Sequence, residues 1–352
     1  MRVLAAMSGG VDSSVAAALL VEAGHEVVGV SLRLWAGAGD RGCCSEAEID
    51  DARAVATQLG ITHRVFDFRE DFTAVVVNPY VAGHAAGLTP NPCVECNRHL
   101  KFGRLARRAT QLGFDAVATG HHARIVPAAA GHLALRRGAD PAKDQSYVLY
   151  VLGQEQLARL AFPVGEMTKA EVRRRAAALG LRTAAKPDSQ DACFVNTAGG
   201  RRPFLESRLP LHPATVVDAA TGAALGTVDA VELVTLGQRR GLNAGGGGGP
   251  RRYAVGIDVA GATVTVGPRS ALLVERVEVD RWAWVDLPLA PGTPVVAQSS
   301  AHGPALAATV EAAAVRFDAP QRAVAPGQSV VVYDRATAEE VLGGGISSPA
   351  GR

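Results

Sequence analysis

A short apolar run at residues 2 to 7 breaks into Ser8-Gly9-Gly10-Val11-Asp12-Ser13-Ser14, then into an Ala/Leu/Val-rich stretch from about Asp12 to Ala23 that Gly24 closes. Strand, two-glycine turn and helix in that order commit the start of the chain to a parallel sheet with crossover helices. The alternation continues. Residues 26 to 32 read as the next strand, and Ser45 with Glu48 forms a capping box opening a helix that Gly60 ends. A basic helix runs from about Val94 to Leu112, a strand fits residues 114 to 119, and Thr168 with Glu171 caps a helix ending near Gly180. Past about residue 200 helical periodicity fades. Val/Thr-rich runs at 214–217, 253–257, 262–267, 272–279, 294–298 and 328–333 are parted by Thr221-Gly222, Ala260-Gly261, Pro291-Gly292 and Pro326-Gly327, which predicts small β barrels or sandwiches. The Gly245 to Gly249 run before Pro250 reads as a surface loop, and no long internal repeat is present.

Composition narrows the function classes. At 48% hydrophobic and 20% charged residues, the chain is too apolar for a disordered protein, and 352 residues suit two to three domains. No uninterrupted apolar stretch is long enough for a membrane helix, and the amino terminus lacks a signal-peptide layout, so the cytoplasm is expected. Five cysteines, an odd number, favour reactive or metal-binding thiols over a disulfide framework. A net charge of +2 excludes nucleic-acid binding by bulk charge alone, so any such binding is local. Of the 36 basic residues, 32 are Arg and four are Lys (Lys101, Lys143, Lys169, Lys186), which fits genomic base composition and also suits phosphate recognition.

The loop at residues 8 to 14 carries the chemistry. Two glycines let the backbone fold against a phosphate, Ser8, Ser13 and Ser14 offer hydroxyls, and the following helix points its first amides at an anion. No Gly-Lys pair occurs anywhere, so this is not a Walker loop. SGGVDSS resembles the loop of the ATP pyrophosphatases, which split ATP into AMP and pyrophosphate. Within that superfamily the chain resembles the bacterial tRNA-specific 2-thiouridylases through TPNPCVECN (89–97) with LKFG after it, ATGHHAR (118–124), KDQSYVLY (143–150), DSQDACF (188–194), TLGQRRGL (235–242) and APGQSVVVYD (325–334).

The resemblance implies an α/β fold in three parts. Residues 1–200 form a parallel-sheet ATP-pyrophosphatase catalytic domain of the adenine-nucleotide α-hydrolase kind, 201–270 a small β-rich central domain, and 271–352 a C-terminal β-barrel that holds tRNA. It also implies ATP and Mg²⁺, a tRNA whose wobble uridine exchanges O2 for sulfur, a persulfide donor protein (a cysteine desulfurase or a relay), and a monomer. A uridine C2 oxygen leaves badly, so adenylation supplies AMP as leaving group, and a persulfide supplies the nucleophile. Position by position, Cys193 carries the persulfide, and Cys96 attacks it or forms a disulfide with Cys193. ATP lies against Ala6, Met7, Ser8, Gly9, Gly10, Val11, Asp12 and Ser13, with Leu32 and Gly120 at the base or ribose. Asn91, Pro92 and Cys93 line the flipped uridine, and His121, Lys143, Asp144, Gln145, Arg316, Phe317 and Gln328 contact tRNA. Leu32 stands where the family often has Met, and Phe317 where it often has Tyr, keeping a stacking face.

Each assignment has a plainer reading. A cysteine is commonly a small buried hydrophobe, but Asp188, Gln190 and Asp191 give Cys193 a polar setting. Arg104 to Arg108 form either a solvated charged face or a tRNA contact, and His121 and His122 are either ligand contacts or strand-end histidines. Cys43 and Cys44 receive no role. Cys93 replaces the Asp found in part of the family, so two readings stay open. Cys96 and Cys193 perform persulfide transfer with Cys93 lining the pocket, or the three thiols hold an iron–sulfur cluster; zinc is a weaker third. Two thiols suffice for the transfer, which favours the first. Rival functions are another pyrophosphatase-loop enzyme with a small-molecule substrate and a non-catalytic RNA-binding protein.

Overall fold

The computed structural model describes residues 1–35, 45–128, 131–188, 192–197, 199–244 and 251–349. Cys43, Cys44, Gln190, Asp191 and the Gly245 to Gly249 run with Pro250 lie outside them.

The N-terminal sheet contains β1 (Arg2–Ala6), β2 (Glu26–Arg33), β3 (Thr62–Asp67), β4 (Ala116–Ala118) and, after a hairpin of β5 (Ala123–Pro127) and β6 (Leu133–Arg137), β7 (Leu160–Ala161). All pairings in it are parallel, in the order β3-β2-β1-β4-β7. Side chains alternate between its two faces, as the strand period requires. Val3 and Ala5 enter one core with Val15 of α1 (Val11–Glu22), Val55 of α2 (Glu46–Gln58) and Val172 of the helix Lys169–Ala178. Leu4 enters the opposite core with Leu100 and Leu105. Helices therefore cover both faces of the sheet.

The caps expected from sequence hold in part. Thr168 and Glu171 form a reciprocal box at the start of Lys169–Ala178. Ser45 accepts from the Glu48 amide at 3.2 Å, but the Glu48 carboxylate pairs with Lys186 instead of closing its half of the box. The basic helix spans Pro92–Glu95 and Leu105–Gln111 with a π-helical stretch, Cys96–Arg104, between them. Wide turns of that kind recur at functional sites.

A four-stranded sheet follows, made of β8 (Ala214–Asp218), β9 (Ala224–Val228), β10 (Tyr253–Asp258) and β11 (Thr263–Gly267) in the order β10-β11-β8-β9. It has its own core of Val216, Val228, Val231, Val264 and Val266. The last part contains β12 (Leu273–Trp284), β13 (Pro294–Gln298), β14 (Leu306–Val310), β15 (Ala314–Arg322), β16 (Ser329–Asp334) and β17 (Glu340–Ser347). These six pair in the order β12-β15-β14-β13-β16-β17, and β17 returns to β12, so the barrel closes and removes its own edges.

The first and last parts are joined. β6 pairs with β17 at Arg136↔Glu340 and Leu135↔Val341, which extends the barrel sheet by the β5–β6 hairpin. The Tyr147 hydroxyl donates to the Ser329 carbonyl at 2.8 Å, and the Arg137 guanidinium lies 3.9 Å from the centre of the Tyr333 ring. Buried His84 touches the Glu232 carbonyl through Nδ1 at 3.2 Å, linking the first part to the central one.

Candidate active site

Strand order reverses between β1 and β4, because the chain builds outward through β2 and β3 before crossing back. Ligands of open α/β sheets bind at such a reversal, beyond the carboxyl ends of the strands. Both connections there are glycine-bearing. Gly9 has φ +75°, and a Cβ on it would stand 2.3 Å from the Glu48 carbonyl oxygen. A Cβ on Gly120, after β4, would stand 2.5 Å from the Ser13 nitrogen. The Gly120 turn therefore closes on the start of α1, and the Gly9 turn on the start of α2, only as glycines.

Hydroxyls fix the loop from inside. Ser13 Oγ accepts from the Ser8 amide at 3.1 Å and donates to the Gly10 carbonyl at 3.1 Å, and Ser14 Oγ donates to the same carbonyl at 2.8 Å. Ser31 Oγ donates to the Met7 carbonyl at 2.7 Å, tying β2 to the loop's entry. Leu32 is buried beside it in β2. A Cβ on Gly10 would meet little except Ser8 Oγ at 3.5 Å, so the backbone there is open to a close-packed anion.

A charged network surrounds the loop. Asp12 accepts from His122 Nε2 at 3.1 Å and from Lys169 Nζ at 2.7 and 2.8 Å. Lys169 Nζ also lies 2.8 Å from Asp188 Oδ1, and Asp188 takes Lys143 Nζ at 2.8 Å and Arg173 Nη2 at 2.7 Å as well. Burial opposes the charge on both carboxyls, but hydrogen bonds outweigh it: His122 and Lys169 hold Asp12 below the ordinary carboxylate value, and Lys143 and Lys169 hold Asp188 far below it. On the loop's other side Lys186 Nζ donates to the Gly9 carbonyl at 3.1 Å and pairs with Asp51 at 2.6 Å and Glu48 at 2.8 Å. Burial alone would lower the Lys186 pKa; those two carboxylates raise it. His122 is buried, and its Nδ1 has no hydrogen-bond partner among the described residues.

The thiols lie on the other face of the sheet. Cys96 is buried in the core cluster that includes Leu32, Leu100 and Phe194, and half-buried Cys193 packs against that same cluster. Cys193 opens the short helix Cys193–Thr197 instead of lying in a loop. Phe194 anchors it with ring centroids 5.0 Å from Phe204, 5.3 Å from Tyr80 and 5.5 Å from Phe72. Asn91 caps the helical run by accepting from the Cys93 amide at 3.1 Å, leaving Cys93 exposed at the rim and Asn91 and Pro92 half-buried beside it. Among the described residues, no group of three or more His, Cys, Asp or Glu side chains is arranged to hold a metal ion.

The residues expected to contact tRNA divide into two sets. Gln328 Nε2 donates to the Thr89 carbonyl, and the Thr89 amide donates to Pro326 at 2.7 Å, so the barrel turn presses on the segment that bears Asn91 and Pro92. Lys143, Gln145 and Arg316 keep exposed surface; Arg316 pairs with Glu311 at 3.1 Å. Other members turn inward. Asp144 accepts from Arg137, the Gly138 amide and Ser146, and buried His121 bonds Thr119 through Nδ1 at 2.7 Å between Phe102 and Phe162. Desolvation, with Lys101 nearby, keeps His121 neutral well below its usual pKa. Phe317 is a correction: at 3% exposure it fills the barrel core with Val277, Val295 and Val330, so its ring offers no stacking face. Inward alternation along β15 decides this, since Arg316 next to it points out.

Sequence reasoning did not single out Lys169, Lys186 or the Asp12–His122 pair. Lysine's rarity was the available signal.

Three family models match in chain order: residues 1–197 match one described as a tRNA methyl transferase HUP domain, 202–268 a tRNA methyl transferase PRC-barrel domain, and 279–346 an aminomethyltransferase beta-barrel domain. Full-length relatives carry the name tRNA-specific 2-thiouridylase MnmA. That of Roseiflexus castenholzii is 46% identical over 375 residues, covering 98% of each chain. That of Frankia casuarinae is 48% identical over 356 residues, again 98% of each, and that of Beutenbergia cavernae is 47% identical over 369 residues, 100% of this chain and 96% of its own. The chain belongs to the tRNA-specific 2-thiouridylase family. Membership makes it an ATP-using enzyme of the pyrophosphatase-loop class, and the closed barrel and small central sheet are the 2-thiouridylase arrangement expected from sequence. Among the described residues, no helix is long and apolar enough to cross a membrane.

Proposed function

We propose that the chain is an ATP-dependent tRNA-uridine 2-sulfurtransferase acting on the wobble uridine, position 34. One observation carries this reading: the Ser8–Ser14 turn stands at the sheet's reversal point with open backbone at Gly10, and Cys96 and Cys193 both pack on the core of the sheet's other face. Residues 1–200 perform the chemistry, 201–270 brace the helix that carries His84, and 271–352 hold tRNA through the barrel.

Loop amides and the adjoining cations bind the triphosphate, with residues 6 to 13, Leu32 and Gly120 around the nucleotide. Bound with the triphosphate, Mg²⁺ would offset its charge. The uridine must leave its stack to expose C2, and Asn91, Pro92 and Cys93 receive it. Uridine O2 attacks the α-phosphorus and pyrophosphate departs. The terminal sulfur of a Cys193 persulfide then attacks C2, and AMP leaves with the former O2. Attack of the Cys96 thiolate on Cys193 breaks the S–S bond, leaves sulfur on C2 and forms a Cys96–Cys193 disulfide, which an external thiol reductant reopens. A cysteine desulfurase or relay protein reloads Cys193. Lys143, Gln145, Arg316 and Gln328 border the tRNA path, while Asp144 and His121 brace it from within. The enzyme acts as a cytoplasmic monomer.

Mass spectrometry of the wobble nucleoside in tRNA from cells with and without the gene tests this, alongside chromatography of nucleotide products. Loss of 2-thiouridine with AMP and pyrophosphate as products is expected. ADP as the main product, or unchanged thiolation, would sink the reading in favour of a small-molecule ligase or a non-catalytic RNA-binding protein.

A further inference from the structure

The chain has 32 arginines and four lysines. A composition that favours Arg so strongly makes each remaining Lys informative, because a compact ammonium and a planar guanidinium fit different seats. Three of the four lie around the nucleotide loop: Lys186 donates to the Gly9 carbonyl, Lys169 bridges Asp12 and Asp188, and Lys143 reaches the same Asp188. Lys169 is only 9% exposed and sits between two carboxylates at 2.7 and 2.8 Å.

The Walker-type Lys that would reach the outer phosphates is missing from the loop, so that charge must come from elsewhere in the fold. Asp188 marks where. Its carboxylate receives Lys143, Lys169 and Arg173 at 2.7 to 2.8 Å, three cations on one anionic group, and Lys169 connects that group directly to Asp12 of the loop. Three cations around a single oxyanion suit a phosphate better than one carboxylate.

We propose that Lys169 and Lys143 bind the pyrophosphate portion of ATP, and that Asp188 is an internal anion which that portion displaces. The inference rests on the ATP-dependent reading above. In it Asp12 stays on Lys169, and the phosphates take the place of Asp188. Lys186 keeps a different duty, holding the Gly9 carbonyl from outside the loop.

Calorimetric titration of the full-length protein with AMP and with the α,β-methylene analogue of ATP tests this without turnover. Lys169→Arg and Lys169→Met should each weaken the analogue by about tenfold or more while leaving AMP within about twofold. Unchanged AMP binding shows that the site is still folded. Asp188→Asn should tighten the analogue, because the competitor for the cations has lost its charge. A merely structural ion pair predicts the opposite sign. Equal analogue affinity in the Lys169 variants, a parallel loss of AMP, or weaker analogue binding in Asp188→Asn overturns the proposal alone. Wild-type protein that binds neither ligand overturns the ATP-dependent reading with it.

Discussion

Cys93, Cys96 and Cys193 differ in what surrounds them, and so should their substitutions. Cys96 is buried, Cys193 is half-buried against the same cluster, and Cys93 is exposed. Replacing Cys96 or Cys193 by Ser leaves the nucleotide site intact but removes a sulfur that the transfer requires, so thiolation should fall below detection while AMP still binds. Cys93→Ser should only slow it. Mass spectrometry of 2-thiouridine after single turnover with persulfide-loaded protein measures this. Anaerobic purification followed by iron and acid-labile sulfide analysis checks the alternative: stoichiometric iron lost equally in all three variants would replace persulfide transfer with a cluster mechanism.

Among the elements, the helix Lys169–Ala178 has the most direct bearing on the site, since its first residue is the cation between Asp12 and Asp188. Its start is fixed by the Thr168–Glu171 box, in which the Glu171 carboxylate accepts from the Thr168 amide at 2.8 Å. Thr168→Ala removes the cap and should cost about 1 kcal/mol, a fall in melting temperature of roughly 2–4 °C for a domain of this size. Thermal unfolding by circular dichroism reads it. Ser45→Ala tests the contrast: with Glu48 committed to Lys186, its box is half-formed, and the larger effect should be on nucleotide binding if the loop's outer wall shifts.

At the scale of the whole molecule, stability should depend on pH through the joint between the first and central parts. His84 is 2% exposed and touches the Glu232 carbonyl; burial outweighs that bond and holds its pKa down at about 4. A depressed histidine is neutral when folded and takes up a proton on unfolding between about pH 4 and its ordinary value near 6.5. Unfolding therefore becomes easier as pH falls through that window, by up to ~3 kcal/mol from this group. Urea denaturation at pH 7.5 and pH 5 should show the loss, and His84→Gln should flatten it. An unchanged pH slope in that variant would assign the acid sensitivity to other groups.

Local pattern determined much of this protein. Residues 2 to 24 could only be strand, glycine turn and helix, because that spacing of apolar residues and glycines suits no other local structure, and the loop's chemistry followed from its residue types. The strands at 214–217, 253–257, 262–267, 294–298 and 328–333 were legible for the same reason. β17 was not among them, since Gly343, Gly344 and Gly345 have little strand propensity of their own. Only in the closed barrel does their purpose show: added Cβ atoms there would strike Trp284, Tyr150 and Val279 within 2.5 to 2.8 Å. Arg316 and Phe317 were indistinguishable as RNA contacts until strand pairing turned one outward and the other into the core. Cys96 and Cys193 stand far apart in sequence, and Lys143, Lys169 and Asp188 come from separate segments. What joins each set is the stacking of helices and loops on the sheet, a long-range packing outcome that no local periodicity encodes.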